Sequence, residues 1–314
     1  MKHDCLNTAT LRSNIKPAFA IAAVILLSHG SSAQAQQKLY VANYIGGNIE
    51  VFAPDGTGSV FVTTDLTRPT DLVVDKLGNV YVSYYDHDTI EKITPTGVVT
   101  VFATTGLSSP YGMALDHLGN LYVANNGDNT IEKFTAGGSS TVFANTGLNG
   151  PTGLAFDAIG NLYAANAGNN TIEKFTSGGI GTVFASTGLS SPHGLAFDAS
   201  GNLYVADNGS NTIEKFTSAG VGSVFANTGL NRPVGLAFDA AGTLFAANNG
   251  SDTLEKFAPN GSGSLFANSG LNNPLGIAFE PVAETATTPE PGVFALLAGP
   301  GLAAGVLRRR RVRK

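Results

Sequence analysis

One unit of 41 residues recurs without insertion or deletion through most of this 314-residue chain. The block Leu39–Asn43 (LYVAN) returns in recognisable form at every forty-first residue, and a proline keeps the same spacing. A fixed period of this length indicates one supersecondary unit repeated in space, so we expect one repetitive domain. The prolines are Pro69, Pro110, Pro151, Pro192, Pro233 and Pro274.

Each unit contains four short strand-like segments separated by turn residues. In the copy from 152 to 185, three five-residue segments begin at Gly153, Leu162 and Thr171, and a fourth spans 182–185. Gly, Asn and Asp fill the connections, which is typical of tight hairpins. Four antiparallel strands in 41 residues predict a propeller blade. A β-helix is disfavoured because its coils are parallel and do not return through hairpins.

The phase of the repeat predicts a closed ring. The first copy begins at Leu39 with the second strand of a blade, and the last copy ends with a first strand at 275–280. An open solenoid would expose two strand edges and need capping repeats, which the sequence lacks. We therefore predict an all-β, six-bladed β-propeller over 36–281, with a seam blade that pairs 39–62 with 275–280.

The segments GNLYVAN and IEKFT, which recur with small changes, resemble those of NHL repeats. The resemblance covers nearly all of residues 39–280. It implies the propeller fold, but it says little about function because one fold hosts many activities.

The N-terminus has the order of a secretory signal peptide. A basic start precedes an apolar run at 18–27 and the small-residue sequence that ends at Ala35, so residues 1–35 are expected to form a signal helix cleaved before Gln36. An uncleaved anchor is the alternative. The only cysteine, Cys5, would leave with this segment, so the exported protein would have no disulfide.

The C-terminus has three parts in a fixed order. After a linker at 282–288 come Pro289, Glu290 and Pro291, then an apolar run at 293–307, then an arginine-rich end. This segment, 289–314, resembles the PEP-CTERM sorting signal of Gram-negative bacteria, and a plain tail anchor is the alternative. The resemblance implies a short transmembrane helix as a transient inner-membrane anchor. It also implies an exosortase-type transpeptidase as partner, and a final location at the cell surface, outer membrane or extracellular matrix.

The two basic ends conceal an acidic body. The whole chain carries a net charge of −5, but residues 36–307 contain 9 basic and 22 acidic residues, a net charge of −13. An acidic chain without a basic stripe is unsuited to nucleic acid. Residues 36–288 also lack a phosphate-binding loop, a Cys/His metal cluster and a G-x-S-x-G nucleophile.

Two rings of residues are expected at one face, around the central channel. One ring follows the repeated prolines, with Asp71 beside it in place of a glycine that the other copies carry; the other ends the second strands. In the second copy the loop YYDHD replaces the usual Asn/Gly turn, and it is the most asymmetric patch. Asn and Asp at strand ends also cap turns, which is the competing interpretation of the second ring. The candidate ligand-binding residues are Thr70, Asp71, Tyr84, Tyr85, Tyr111, Asn125, Thr152, Asn166, His193, Asp207 and Asn248.

The outline of the chain also resembles two families of propeller enzymes. Gluconolactonases hold a divalent metal with carboxylates and amides, but the first ring has no carboxylate. Streptogramin lyases use channel His and Glu with magnesium; His193 is the only matching histidine here, and the tryptophans of that family are missing. His193 is therefore the candidate catalytic residue of an enzyme hypothesis, with Ca²⁺ or Mg²⁺ as its metal. Otherwise we expect no cofactor and no metal.

The sequence leaves two functions open. The first is a non-enzymatic exported binding or scaffold module for exopolysaccharide or surface proteins, favoured by the near-identity of the blades. The alternative is a metal-dependent lactonase-like hydrolase or a streptogramin-lyase-like enzyme. The repeated glutamates of the third strands are expected to form cross-blade pairs or a solvated face. They are Glu50, Glu91, Glu132, Glu173, Glu214 and Glu255.

Overall fold

The computed structural model describes residues 37–63 and 67–282, which form 24 β-strands in six four-stranded antiparallel sheets. The predicted six-bladed propeller with four-stranded blades is confirmed. The innermost strands, which surround the channel, are β4 (Pro69–Val74), β8 (Pro110–Leu115), β12 (Pro151–Phe156), β16 (Pro192–Phe197), β20 (Pro233–Phe238) and β24 (Pro274–Phe279).

The other three positions of each blade follow outward from the channel. The second strands are β1 (Leu39–Asn43), β5 (Val80–Tyr84), β9 (Leu121–Asn125), β13 (Leu162–Asn166), β17 (Leu203–Asp207) and β21 (Leu244–Asn248). The third strands are β2 (Asn48–Phe52), β6 (Thr89–Ile93), β10 (Thr130–Phe134), β14 (Thr171–Phe175), β18 (Thr212–Phe216) and β22 (Thr253–Phe257). The outermost strands are β3 (Gly58–Thr63), β7 (Val99–Ala103), β11 (Ser140–Ala144), β15 (Gly181–Ala185), β19 (Gly222–Ala226) and β23 (Gly263–Ala267).

Blade 1 combines strands from both ends of the described chain, in the order β24-β1-β2-β3. Leu39 pairs with Phe279 in this sheet, and the Glu280 amide donates to the Lys38 carbonyl at 2.9 Å. The strands of this blade cover 39–63 and 274–279. Blades 2 to 6 each use four consecutive strands, beginning with β4, β8, β12, β16 and β20.

The two faces of the ring carry different connections. We call the face where the inner strands begin, at the repeated prolines, the upper face; the second strands also end there. The lower face carries the Asp-x-x-Gly turns that join inner to second strands, such as the turn in which Asp157 Oδ1 accepts from the Asn161 amide at 2.8 Å. Candidate site residues of both predicted rings therefore lie toward the upper face.

The core lies between neighbouring blades and includes the second strands, which are buried along their whole length. Tyr163 shows the repeated packing: its ring makes edge-to-face contacts with Phe184 at 5.0 Å and Phe197 at 4.9 Å. Phe197 belongs to blade 5 and Tyr163 to blade 4, so the contact joins two blades. Such an aromatic pair contributes roughly 1 kcal/mol beyond the burial of its area.

Glycine on the inner strands permits close approach of the blades. A Cβ added to Gly153 would lie 2.1 Å from the His193 carbonyl oxygen of the next blade. Gly112, Gly194 and Gly235 face similar contacts at 1.9 to 2.2 Å. Backbone therefore packs on backbone around the channel, and only glycine fits this geometry without a shift.

The six glutamates of the third strands are buried, which corrects the expected solvated face. Their side chains are only 4 to 9 % exposed. The loop that crosses from one blade to the next covers them: a Cβ on Gly147 would lie 2.8 Å from Oε1 of Glu173. Burial raises the pKa of Glu173 above its ordinary value.

The predicted signal peptide, with its cleavage site at Ala35 and Gln36, lies outside the described residues. So do the sorting segment 289–314, with Pro289, Glu290 and Pro291, and the linker after residue 282. Within the part of the chain that the structure describes, no helix is long and apolar enough to span a membrane.

Candidate functional site

The ring of residues after the prolines contains four buried members and two half-buried aromatic ones. The Thr70 and Thr152 hydroxyls are buried and donate to the carbonyl oxygens of Pro110 and Pro192, at 3.0 and 2.9 Å. Each bond joins a blade to the next one, so both threonines, which were candidate ligand contacts, stabilise the ring instead.

Two aromatic members of the same ring close the upper end of the channel. The ring centroids of Tyr111, in blade 3, and His193, in blade 5, lie 5.9 Å apart. They cover a cavity of only about 30 Å³ that is also lined by Thr70, Asp71 and Val234. A cavity of this size holds about one water molecule.

His193 is held in one orientation by its own chain. Its Nδ1 lies 2.9 Å from the Ser191 carbonyl oxygen, so Nδ1 carries the proton and donates, which leaves Nε2 as an acceptor. Burial lowers the pKa of His193, and the nearby Arg232 lowers it further, although the Ser191 contact opposes this. The imidazole is therefore neutral at pH 7.

Asp71 lies beneath the Tyr111 and His193 rings, at a repeat position that glycine occupies in the other blades. Its Oδ2 accepts from the Met113 amide at 2.7 Å. Burial raises the pKa of Asp71 to about 7, although its hydrogen bonds from the Met113 and Leu72 amides oppose the shift. Its carboxyl is thus half-protonated near neutral pH, and it breaks the sixfold symmetry of the channel.

Ser83 accommodates Asp71 in blade 2. The siblings have alanine at this position, but the Ser83 hydroxyl donates to the Tyr111 carbonyl at 2.7 Å and accepts from the Asp71 amide at 3.1 Å. The strand pairing also changes: Asp71 pairs directly with Ser83, whereas the corresponding glycines fall within a bulge. Asp71 is therefore part of a coordinated local change.

The channel widens toward the lower face. A cavity of about 380 Å³ extends from Asp71 past Gly194 and Leu236 to Gln37 and Glu280 at its lower mouth. The Gln37 side chain crosses this mouth, donating to the Glu280 carbonyl at 2.8 Å and accepting from the Ala240 amide at 2.7 Å. The channel is thus narrow above Asp71 and roomy below it.

The amide ring at the ends of the second strands is a set of buried clamps. Asn166 donates to the Gly147 carbonyl at 2.9 Å and accepts from the Asn149 amide at 3.1 Å. Both partners lie in the loop that crosses from blade 3, so the side chain fixes that loop. Asn125 and Asn248, both candidate ligand residues, make the corresponding bonds, as Asn43 does in blade 1.

Two further candidates are also internal. Asp207 replaces the asparagine clamp of blade 5; its Oδ1 accepts from the Ser190 amide at 2.6 Å, and its Oδ2 contacts the Ser210 hydroxyl. Burial raises its pKa. Tyr84 is fully buried in the core of blade 2, so its side chain presents no surface to a ligand. Neither residue joins Asp71 and His193 at the channel.

The exposed cluster at the upper mouth contains residues that the sequence analysis did not select. Tyr85, which was predicted, contacts Tyr111 edge-to-face at 6.3 Å. Arg68 lies over the Tyr44 ring at 5.6 Å and pairs with Asp86 at 2.5 Å. The arginine could have been found, since the residue before each repeated proline is otherwise Ser, Gly or Asn, with Arg only at 68 and 232.

No metal centre emerges from the described ranges 37–63 and 67–282. They contain no group of three or more His, Cys, Asp and Glu side chains placed to share an ion. The Ca²⁺ or Mg²⁺ of the enzyme hypothesis therefore remains a prediction.

Solved propellers resemble the chain in fold. A chain of the nidogen/laminin complex has a TM-score of 0.71 and 24% identity, covering 78% of this chain and 99% of that one. The profile of the virginiamycin B lyase family matches residues 19–295, so the chain belongs to that family.

Two enzyme structures have the same fold at lower identity. A catalytically inactive virginiamycin B lyase variant from Staphylococcus aureus, with quinupristin, has a TM-score of 0.61 and 19% identity, over 79% of this chain and 94% of that one. A proposed gluconolactonase has a TM-score of 0.56 and 19% identity, over 63% and 77%. No protein of curated function matched the chain.

Proposed function

We propose that this chain is an exported, non-enzymatic binding module that holds a saccharide on the aromatic cluster of its upper face. The closure of the channel by Tyr111 and His193 carries the proposal. With their centroids 5.9 Å apart above a cavity of about 30 Å³, these rings leave no room beside Asp71 for a substrate that enters from above. The ligand would instead lie on the rings.

The chemistry of the cluster supports a saccharide. Tyr44, Tyr85, Tyr111 and His193 are all partly exposed, and each combines an apolar ring with a polar tip. A sugar has the complementary character, with an apolar C–H face and hydroxyl edges. Exopolysaccharide is the ligand we favour, and a surface protein is the other partner considered.

The binding experiment uses substitutions that the repeat itself supplies. Tyr111→Val places the blade 6 residue, Val234, at the same position of blade 3, so the variant should fold. We expect it to weaken saccharide binding about fivefold to tenfold, as measured by titration calorimetry with neutral oligosaccharides and the strain's own polysaccharide. His117→Ala makes a sibling-type change on the lower face and serves as the control. Equal affinity of both variants would contradict the proposal.

An enzyme remains the second candidate because of the family match and because Asp71 and His193 both line the small cavity. This function would require the Tyr111 and His193 rings to separate, since a substrate has to reach the carboxyl. Lactone hydrolysis and streptogramin linearisation, each assayed with Ca²⁺ and Mg²⁺, would decide it. Turnover that His193→Leu abolishes would establish the enzyme and overturn the binding-module proposal.

We also infer that the propeller is exported and sorted. A signal peptide at 1–35 and a PEP-CTERM-like segment at 289–314 support this, with an exosortase-type transpeptidase as partner and the cell surface or matrix as destination. Mass spectrometry of the released protein should find Gln36 at its start and no residues 308–314. A released protein that retains its arginine-rich end would refute the sorting proposal.

A further inference from the structure

Both arginines of the described chain lie at the same unusual backbone position. Arg68 and Arg232 directly precede the prolines that begin β4 and β20, and their φ angles are +64° and +52°. L-residues other than Gly, Asn and Asp rarely adopt this left-handed conformation. The sibling positions have Ser109, Gly150, Ser191 and Asn273.

This position faces the closed mouth of the channel. Arg232 precedes Pro233 and Val234, and Val234 lines the small cavity together with Tyr111 and His193. Burial raises the pKa of Tyr111 and lowers the pKa of His193, and the positive charge of Arg232 makes a smaller contribution to each, in the lowering direction. Arg232 is exposed and stands at the rim of the aromatic cluster, two residues before Val234.

The backbone of Arg232 is anchored to a neighbouring blade. The Arg232 amide donates to Asn211 Oδ1 at 2.6 Å, which anchors the backbone to the preceding blade. Among the described residues its guanidinium forms no ion pair, whereas Arg68 pairs with Asp86. All described lysines lie elsewhere: Lys38 and Lys76 on the lower face, and the other five on third strands.

An arginine that no described acidic residue neutralises is a feature that this position does not require, because serine, glycine or asparagine fills it in other blades with the same left-handed backbone. Guanidinium binds a carboxylate through two parallel hydrogen bonds, and the adjacent rings suit the apolar face of a sugar.

We propose that Arg232, with Tyr111 and His193 beside it, forms a subsite for the carboxylate of a uronic acid, and that Arg68 extends it toward a neighbouring acidic sugar. This inference rests on the proposed saccharide-binding function and names the class of sugar. The net charge of residues 36–307, −13, works against the binding of a polyanion, so a local site is needed.

The test compares α-1,4-trigalacturonate with its methyl ester, which keeps the sugar rings and removes the charge. The full chain, expressed with its export signal and purified, should bind the free acid at least tenfold more tightly than the ester, and high salt should reduce this preference. Arg232→Ser should abolish the preference by weakening binding of the free acid at least tenfold. Lys76→Ala removes the same charge from the lower face and should change neither affinity.

The outcomes separate the two proposals. Equal binding of acid and ester would overturn the uronate subsite but retain the saccharide-binding function. Absence of binding to either would count against both. An equal loss of acid binding in Arg232→Ser and Lys76→Ala would assign the effect to net charge and refute the subsite. A glutamate-rich peptide that binds as tightly as the trisaccharide would also refute the assignment to a sugar.

Discussion

Asp71 and Ser83 form a matched pair of exceptions: the one carboxylate on an inner strand at a glycine position lies against the one serine at an alanine position. The Asp71 amide donates to the Ser83 hydroxyl at 3.1 Å, and that hydroxyl donates on to the Tyr111 carbonyl at 2.7 Å. A carboxyl has thus been accommodated where the other blades meet through backbone alone. The titration of the Asp71 carboxyl is therefore the most direct way to test the environment inside the channel.

Stability should depend on pH through Asp71. Its pKa is about 7 in the folded protein against an ordinary 3.8, so the folded state holds the proton more tightly than the unfolded state. The stabilising contribution of the Asp71 proton to the free energy of unfolding is therefore fully present below about pH 4 and is lost as the pH rises to about 7. Asp71→Gly, the sibling residue, should remove this component and gain on the order of 2 kcal/mol at pH 8.

Denaturant unfolding of the unsubstituted protein and of Asp71→Gly, from pH 4 to 8, measures the contribution of Asp71 to the free energy of unfolding. The difference between them isolates Asp71 from the buried glutamates, whose pKa values are also raised and which both proteins contain. A constant difference across the pH range would show that Asp71 titrates normally.

Inner-strand glycines should tolerate no side chain. Gly153→Ala would place a Cβ 2.1 Å from the His193 carbonyl oxygen, and neither backbone can yield without separating blades 4 and 5. We expect a loss of about 3 kcal/mol or more in the free energy of unfolding. Gly178→Ala, in a turn of blade 4 where the nearest atom is 3.9 Å away, is the control and should change stability by less than about 0.5 kcal/mol. Comparable losses would argue against the close packing of blades.

The asparagine clamps should matter for stability and not for binding. Asn166→Ala leaves the Gly147 carbonyl and the Asn149 amide without their partner, which should cost about 2 kcal/mol. In blade 5, Asp207→Asn restores the sibling residue and removes a buried carboxylate. Because burial raises the pKa of Asp207, this variant should gain stability at pH 8 and gain less at pH 4. If Asn166→Ala changed the saccharide affinity, the amide ring would have to be part of the binding site.

Closure of the ring can be tested by truncation. A chain ending at residue 273 loses β24, which leaves blade 1 with three strands and exposes Leu39 and Val41. We expect it to lose cooperative unfolding, as followed by circular dichroism. A chain ending at residue 288 keeps every strand and should unfold as the longer protein does. Retained cooperativity in the shorter chain would contradict the seam blade.

The strands were predictable from the sequence because period, turn residues and alternation agree in every copy. The direction in which each side chain points was harder to predict from the sequence. Thr152 and Tyr111 occupy the same repeat position, yet the threonine bonds to the next blade while the tyrosine lies at the channel mouth. The buried state of Glu173 depends on a crossover loop from another blade, so strand alternation alone could not reveal it.

The site was recognisable mainly through exceptions to the repeat. Asp71, Tyr85, Tyr111 and His193 break the pattern, and the structure places them at one mouth. The amide ring follows the pattern and is structural. Arg232 also breaks it, but the sequence does not show that this residue stands beside the aromatic cluster or that it has no ion-pair partner among the described residues.

The hydrogen bond from the Glu280 amide to the Lys38 carbonyl holds the two described ends of the propeller together. Because these residues lie together at the lower mouth, both described ends of the propeller leave from the same face. A protein tethered through the chain after residue 282 would stand with that face toward its membrane. The upper face, with Tyr111 and Arg232, would then point away from the membrane. Long polymers that are too large to pass between the propeller and the membrane could reach it there.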